Sequence, residues 1–237
     1  MVDFDGINQR PDDIFALSEQ LLTASQNDTF PYETEVLGVP IVVLADVFSP
    51  RYIVGAEPFT RMLNFTPGID FLEIGPGTGA ISVHAALAGA RVLAIDINPA
   101  AVANTQANID RHGLAERMEV REGDVFEPLR PGEAFDLIFW NVPFGYVEPG
   151  VELTPLRRST LDPGYEATRR YVHQGRRHLK PGGRLVLGFS SVIGRLELVE
   201  RIAAEAGLEA RITAREEGPD EFPMPTELIE FFPRDGG

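Results

Sequence analysis

Cysteine is absent from the 237 residues, which excludes disulfides, thiolate zinc sites and cysteine nucleophiles. The fold must then be held by its core. With 43% hydrophobic side chains, the chain is long enough to bury a substantial one, near the upper end for a single α/β domain. Positive charge is also scarce: 21 Lys and Arg against 36 Asp and Glu leave a formal charge of -15. Such a field repels phosphate backbones and anionic headgroups, so neither nucleic acid nor a membrane surface is an expected partner. The pairs Arg157-Arg158, Arg169-Arg170 and Arg176-Arg177 read as solvated helix faces. No apolar run approaches the ~20 residues that cross a bilayer, and Met1 to Gln9 lacks the basic segment and apolar run of a secretory signal. A soluble, cytoplasmic chain is expected. His84, His112, His173 and His178 do not pair at metal-ligand spacing, so no metal site is expected.

What is present is an alternating pattern. Pro11 to Gln26 places Ile14, Phe15, Leu17, Leu21 and Leu22 at helical spacing behind the start signal Arg10-Pro11-Asp12-Asp13. Asn27 to Tyr32 reads as a linker, and Val36 to Leu44, broken at Gly38 and Pro40, as a small hairpin. From Ile69 onward, short apolar and β-branched runs alternate with helical stretches, the pattern of βαβ units and a parallel sheet. The predicted strands are Asp70 to Ile74, Arg91 to Ile95, Met118 to Arg121, Phe135 to Trp140 and Arg184 to Phe189. A helix over Ser191 to Ala206 follows, and then a final pair, Ala210 to Ala214 and Glu227 to Phe232.

Phe71-Leu72-Glu73-Ile74-Gly75-Pro76-Gly77-Thr78-Gly79-Ala80 sets a glycine-rich turn between a buried strand and a helix of small residues, where backbone can approach a ligand closely. The spacing Gly-x-Gly-x-Gly differs from the dinucleotide fingerprint, whose third glycine comes one position later. Glu73 beside the turn suits a cationic or zwitterionic ligand better than a pyrophosphate. About 20 residues on, Asp96 ends a second strand where a carboxylate can accept from ribose hydroxyls. Asn98 and Pro99 then start a helix as N-cap and first-turn proline. A third strand ends at Gly123-Asp124-Val125-Phe126, on the same carboxyl edge.

The order Glu73, Gly75, Gly77, Gly79, Asp96, Asp124 resembles the class I S-adenosylmethionine (SAM)-dependent methyltransferases, from about Ile69 to Gly183. The resemblance implies a Rossmann-like α/β fold, with a mostly parallel seven-stranded sheet and helices on both faces. It implies SAM as cofactor: Gly75, Gly77, Thr78 and Gly79 at its methionine moiety with Glu73 beside them, Asp96 at the ribose, Ile97 and Val125 at adenine, and Asp124 on the adenine amino group.

The fourth strand runs into Asn141-Val142-Pro143-Phe144, which resembles the Asn-Pro-Pro-aromatic motif of enzymes that methylate planar nitrogens, among them the release-factor glutamine methyltransferases. An Asn side-chain oxygen and the next backbone carbonyl can both accept from one amino group, while the aromatic stacks on the group that bears it. Val142 departs from the motif's first proline; a carbonyl is still supplied, but the turn is less rigid. Val47-Phe48-Ser49-Pro50-Arg51 and Leu179-Lys180-Pro181-Gly182-Gly183 add to the similarity. The segment before Pro50 is shorter than the helical domain with which release-factor enzymes hold their substrate.

The resulting expectation is an N-terminal extension and substrate lid over 1–60, with a helix and a hairpin, and a SAM-binding domain over 61–237. The Tyr146 to Asp162 stretch joins the N-terminal helix as candidate lid. The function expected is methyl transfer to an amide, guanidine or amine nitrogen of a small molecule or peptide, without metal. Methylation of oxygen or carbon in a biosynthetic pathway, aminopropyl transfer and non-catalytic SAM binding remain as alternatives.

Overall fold

The computed structural model describes residues 11–52, 55–218 and 224–234; Met1 to Gln9 lies outside them. Helix α1 is Pro11–Gln26, and Ile14, Leu17, Leu21 and Leu22 bury one face at the 3.6-residue period. Strands β1 (Tyr32–Val36) and β2 (Val39–Val43) form the antiparallel hairpin. Its turn residues Leu37 and Gly38 both have positive φ, 47° and 75°, as a tight two-residue hairpin turn requires. Tyr32, expected in the linker, pairs with Val43 and so belongs to the strand.

The sheet domain then follows as α2 (Ala56–Leu63), β3 (Asp70–Ile74), α3 (Ala80–Leu87), β4 (Arg91–Asp96), α4 (Pro99–Arg111), β5 (Met118–Glu122) and β6 (Phe135–Asn141). After β6 come the short strands β7 (Gly145–Val147) and β8 (Leu161–Pro163), then α5 (Glu166–Gly175), β9 (Leu179–Phe189), α6 (Leu196–Glu205), β10 (Leu208–Glu216) and β11 (Thr226–Pro233). Seven strands lie in the order β10-β11-β9-β6-β3-β4-β5. Only β11 runs antiparallel to its neighbours among these pairings. Central strands of a covered sheet are apolar on both faces, and Phe71, Leu72, Ile95, Ile138, Phe139, Val186 and Leu187 are all buried. Full burial of such a side chain contributes roughly 1.5–3 kcal/mol.

Most strand boundaries lie within one or two residues of those expected, and two starts differ by five. Strand β9 starts at Leu179 rather than Arg184, because Leu179 pairs with Phe135 ahead of a register shift. That close approach needs Gly183, where a Cβ would meet the Phe135 carbonyl oxygen at 2.7 Å. Helix α6 starts at Leu196 rather than Ser191. Ile193 and Gly194 instead donate back to the Ser190 carbonyl in a turn, and Gly194 lies so close to Phe189 that a Cβ would meet its ring at 2.2 Å.

The chain leaves β3 toward β4 and β5 on one side, then crosses to β6 on the other. In an open α/β sheet, the carboxyl ends of the strands at such a reversal form the ligand crevice. The ends of β3, β4 and β6 carry Glu73, Asp96 and Asn141.

Candidate functional site

The glycine turn between β3 and α3 lines a cavity, and its three glycines do different work. Gly77 (φ 59°) has open space where a Cβ would stand, so its backbone is a bare cradle facing the cavity. Gly75 lines the cavity too, and a Cβ there would meet Trp140 Nε1 at 2.8 Å. Gly79 is not among the lining residues. It packs on α4, where a Cβ would meet Thr105 Cγ2 at 2.9 Å; its glycine serves close packing rather than ligand approach.

Asp96 at the end of β4 fixes this turn. Its Oδ2 accepts from Gly77 N at 3.1 Å and its Oδ1 from Asn98 N at 2.9 Å. Asn98 in turn caps α4, accepting from Ala100 N at 3.0 Å ahead of Pro99. Glu73 is buried and accepts from the Ser82 hydroxyl. Burial pushes Glu73 up to about 7, with the nearby Asp96 charge adding to the rise. Burial likewise raises Asp96 to about 6, against the backbone N–H groups it accepts from. Two desolvated carboxyls with no cation paired to them among the described residues favour a cationic occupant. Ile97 is 40% exposed at the cavity wall. Val125 lines the same wall at φ 50°, a left-handed conformation costly for a β-branched residue. Asp124 also lines it, but both its oxygens accept from Arg170 Nη2, at 2.9 and 2.7 Å.

Asn141 lines this cavity and a second one beside it. The second holds Val142, Pro143 and Phe144, with Ile14, Leu17 and Leu21 of α1 on its far side. The motif is pinned at several points: Val142 N donates to the Gly188 carbonyl at 3.3 Å, Gly145 N to the Thr160 carbonyl at 3.0 Å, and Tyr165 Oη to the Phe144 carbonyl at 2.6 Å. Phe144 meets Phe189 edge-on at 5.8 Å. By contrast, the side-chain oxygen of Asn141 is buried with no hydrogen-bond partner among the described residues. Tyr32 Oη and Ser190 Oγ share that condition, but neither lines either of these two cavities. A buried orphan acceptor costs about 1–3 kcal/mol, which points to a donor supplied from outside the chain.

A family described as "Methyltransferase domain" matches residues 71–183. The release factor glutamine methyltransferase of Gloeobacter violaceus is 39% identical over 132 residues, 51% of this chain and 45% of that protein. The same enzyme of Geobacter sulfurreducens is 31% identical over 195 residues, 77% of this chain and 66% of that protein. The chain belongs to the class I SAM-dependent methyltransferases. It spans between 45% and 66% of the length of the first release-factor relatives it matches. A 16S rRNA methyltransferase of T. thermophilus, solved with AdoMet and guanosine, shares the fold at a TM-score of 0.59 and 20% identity, over 86% of this chain and 50% of that one.

SAM is the cofactor of this family, and the first cavity fits it on this structure's own evidence: the bare Gly77 cradle, the two desolvated carboxyls and the exposed Ile97. Further residues line the first cavity besides those of the glycine turn and the strand ends. Phe48, Ser49 and Pro50 line the first cavity, as the Val47–Arg51 resemblance hinted. Trp140 and Leu161 line it as well, and nothing in their sequence context separates them from core residues. Arg170, read as solvated, holds Asp124, and Arg169 pairs with Glu205. Among the described residues no cluster of metal-ligating side chains occurs. His84 and His112 bond the Val36 and Pro40 carbonyls of the hairpin at 2.8 and 2.9 Å.

Proposed function

We propose that this chain transfers the SAM methyl group to a side-chain amide nitrogen of the glutamine type, carried by a protein or peptide. The observation that carries the reading is the unpartnered, buried Asn141 oxygen at the seam of the two cavities. The second cavity bears no charged side chain among its described lining residues. A guanidinium or ammonium would be desolvated there without compensation, whereas a neutral amide would not. The relatives' named acceptor, glutamine, agrees with that chemistry.

In this reading Gly75 and Gly77 cradle the methionine moiety with Thr78 and Glu73 beside it. Asp96 takes the ribose hydroxyls, Ile97 and Val125 flank adenine, and Asp124 accepts from the adenine amino group with the lone-pair sites that Arg170 leaves. Gly79 contributes only to packing. When bound, SAM supplies an electrophilic methyl on a sulfonium. The protein supplies placement: Asn141 Oδ1 and the Val142 carbonyl each accept one N–H of the acceptor amide, which turns its remaining electron pair toward the first cavity. Pro143 fixes the turn and Phe144 forms the apolar wall. Residues 1–60 and the Tyr146 to Asp162 stretch act as extension and lid over the SAM-binding domain of 61–237. A cytoplasmic location without a nucleic-acid partner belongs to the same reading, in keeping with the charge of -15; among the described residues no helix is long and apolar enough to cross a membrane.

The test is Asn141→Ala, assayed with labelled SAM and glutamine-containing peptides. SAM affinity should stay within about twofold by calorimetry, while turnover falls on the order of 100-fold, the size of one lost orienting hydrogen bond in the transition state. Normal turnover in that variant would sink the proposal and return the motif to a strand-ending turn. Preferential methylation of guanidines or amines by the wild type would contradict the acceptor class.

A further inference from the structure

We propose that Arg158 binds the carboxylate of the SAM methionine moiety. The inference rests on the assignment of the first cavity to SAM. That cavity is lined by Glu73, Asp96, Asp124 and Asp162, and Arg158 is the one cationic residue among its described lining residues. SAM carries two positive centres, a sulfonium and an ammonium, and one carboxylate. The protein's carboxylates suit the first two, but they repel the third unless a cation stands near it.

Backbone amides are the usual competitor for an anion at a strand-to-helix turn. Here the N–H groups of all three turn glycines are already spent, Gly75 on the Ile95 carbonyl at 2.8 Å, Gly77 on Asp96 at 3.1 Å and Gly79 on the Pro76 carbonyl at 2.8 Å, which leaves Thr78 and the first turn of α3 as the backbone donors beside which a side-chain cation would act. Nearby arginines are committed as well. Arg157 makes a two-point pair with Glu19, Arg169 pairs with Glu205, and Arg170 with Asp124. No partner of the Arg158 guanidinium is found among the described residues. Its position suits the task, since its neighbour Ser159 lines both cavities and so marks the seam near Asn141. A guanidinium can meet a carboxylate with two parallel N–H bonds.

The experiment is calorimetry of the full chain with S-adenosylhomocysteine and with its decarboxylated counterpart, which keeps the adenosine and the amine. Wild type should prefer the intact ligand at least tenfold. Arg158→Gln and Arg158→Ala should each weaken the intact ligand about tenfold, leave the decarboxylated one within twofold, and so collapse the preference. Arg158→Lys should restore part of it, and added salt should erode the preference in wild type but not in Arg158→Ala. A wild-type ratio retained in Arg158→Ala would overturn the proposal. So would a variant that binds both nucleosides normally but loses affinity for the peptide acceptor, because the carboxylate read would then be the acceptor's. If wild type binds neither nucleoside, the SAM assignment itself fails, which is a separate result.

Discussion

The two cavities that meet at Asn141 are built on opposite plans. The cofactor cavity is charged and bolted from behind. Thr105 donates to the Gly77 carbonyl at 3.1 Å and Asn108 to the Thr78 carbonyl at 2.9 Å. Asn108 also exchanges two bonds with the Val42 backbone, both 2.8 Å, while Asn104 holds the Leu44 N–H and the Val42 carbonyl. The hairpin of the extension is thereby tied to α4, and through α4 to the glycine turn. The acceptor cavity is uncharged, and its cover, α1, is held to the loop opposite by two polar links. One is Ser18 to Thr160 at 2.5 Å, the other Glu19 to Arg157 at 2.7 and 2.8 Å. The two halves of the extension are therefore held differently: the hairpin by several side-chain bonds to α4, and α1 by these two links together with Gln26, which bonds the Val47 carbonyl and the Asp46 N–H at its C-terminal end. In the proposed reading, α1 is the half that opens to admit the acceptor.

The sharpest way to break this contrast is at the frame. Asp96→Ala removes the proposed ribose contacts and the two backbone anchors at Gly77 and Asn98, so SAM affinity should fall on the order of 100-fold or more by calorimetry. Unchanged affinity would remove Asp96 from the cofactor site. Asn108→Ala leaves Val42 and Thr78 backbone groups buried and unmatched, a loss of about 2–3 kcal/mol. The melting temperature should drop roughly 4–12 °C, and weaker SAM binding should accompany it because the turn loosens. The pH separates the cavities with a smaller effect. Asp96 is raised from 3.8 to about 6 and Glu73 from 4.5 to about 7. Both are neutral more readily when folded, so their contribution to apo stability is full below about 4 and fades as pH rises through 6 to 7. A cation in the cavity favours the ionised forms, so SAM affinity should run the other way, tightening about tenfold from pH 5 to pH 6 with proton release. The acceptor KM at saturating SAM should stay flat over that range; a parallel change would mean that the acceptor cavity also holds a titrating group.

Much of the frame was legible in sequence because its determinants are local. The 3.6-residue spacing gave α1 over Pro11–Gln26, Gly38 marked the hairpin turn although Pro40, the second expected break, lies inside β2 and the first strand starts at Tyr32 rather than Val36, and Asn98-Pro99 marked the start of α4. The glycine turn was readable as a ligand loop, yet the split between Gly77, open to the cavity, and Gly79, packed on Thr105, depends on a helix 26 residues later in the chain. Arg158 and Arg170 were hidden for the same reason. Adjacent arginines look alike in sequence, and what distinguishes them is whether a carboxylate across the fold has claimed them. The start of α6 is not legible in the sequence because apolar Val192 and Ile193 continue the helical period, whereas contact between Gly194 and the Phe189 ring stops it.

The smallest expected effect probes the cover itself. Ser18 is buried on α1, and its hydroxyl bonds Thr160, which donates in turn to the Arg157 carbonyl at 3.3 Å. Ser18→Ala should cost about 1 kcal/mol, the net worth of one hydrogen bond, shifting the melting temperature only a few degrees. If α1 opens as a local unit, that same loss raises its open population about fivefold, and brief protease treatment should cut within 11–26 correspondingly faster. SAM affinity should not move, since no α1 residue lines the cofactor cavity among the described residues. The acceptor KM should rise severalfold, because Ser18, Leu17 and Leu21 wall its cavity. Asn108→Ala supplies the converse: it should lower global stability and SAM affinity without selectively exposing α1. If Ser18→Ala and Asn108→Ala instead shift SAM affinity and α1 cleavage in the same proportion, the extension is one cooperative unit, and the division into a fixed hairpin and an opening helix is wrong.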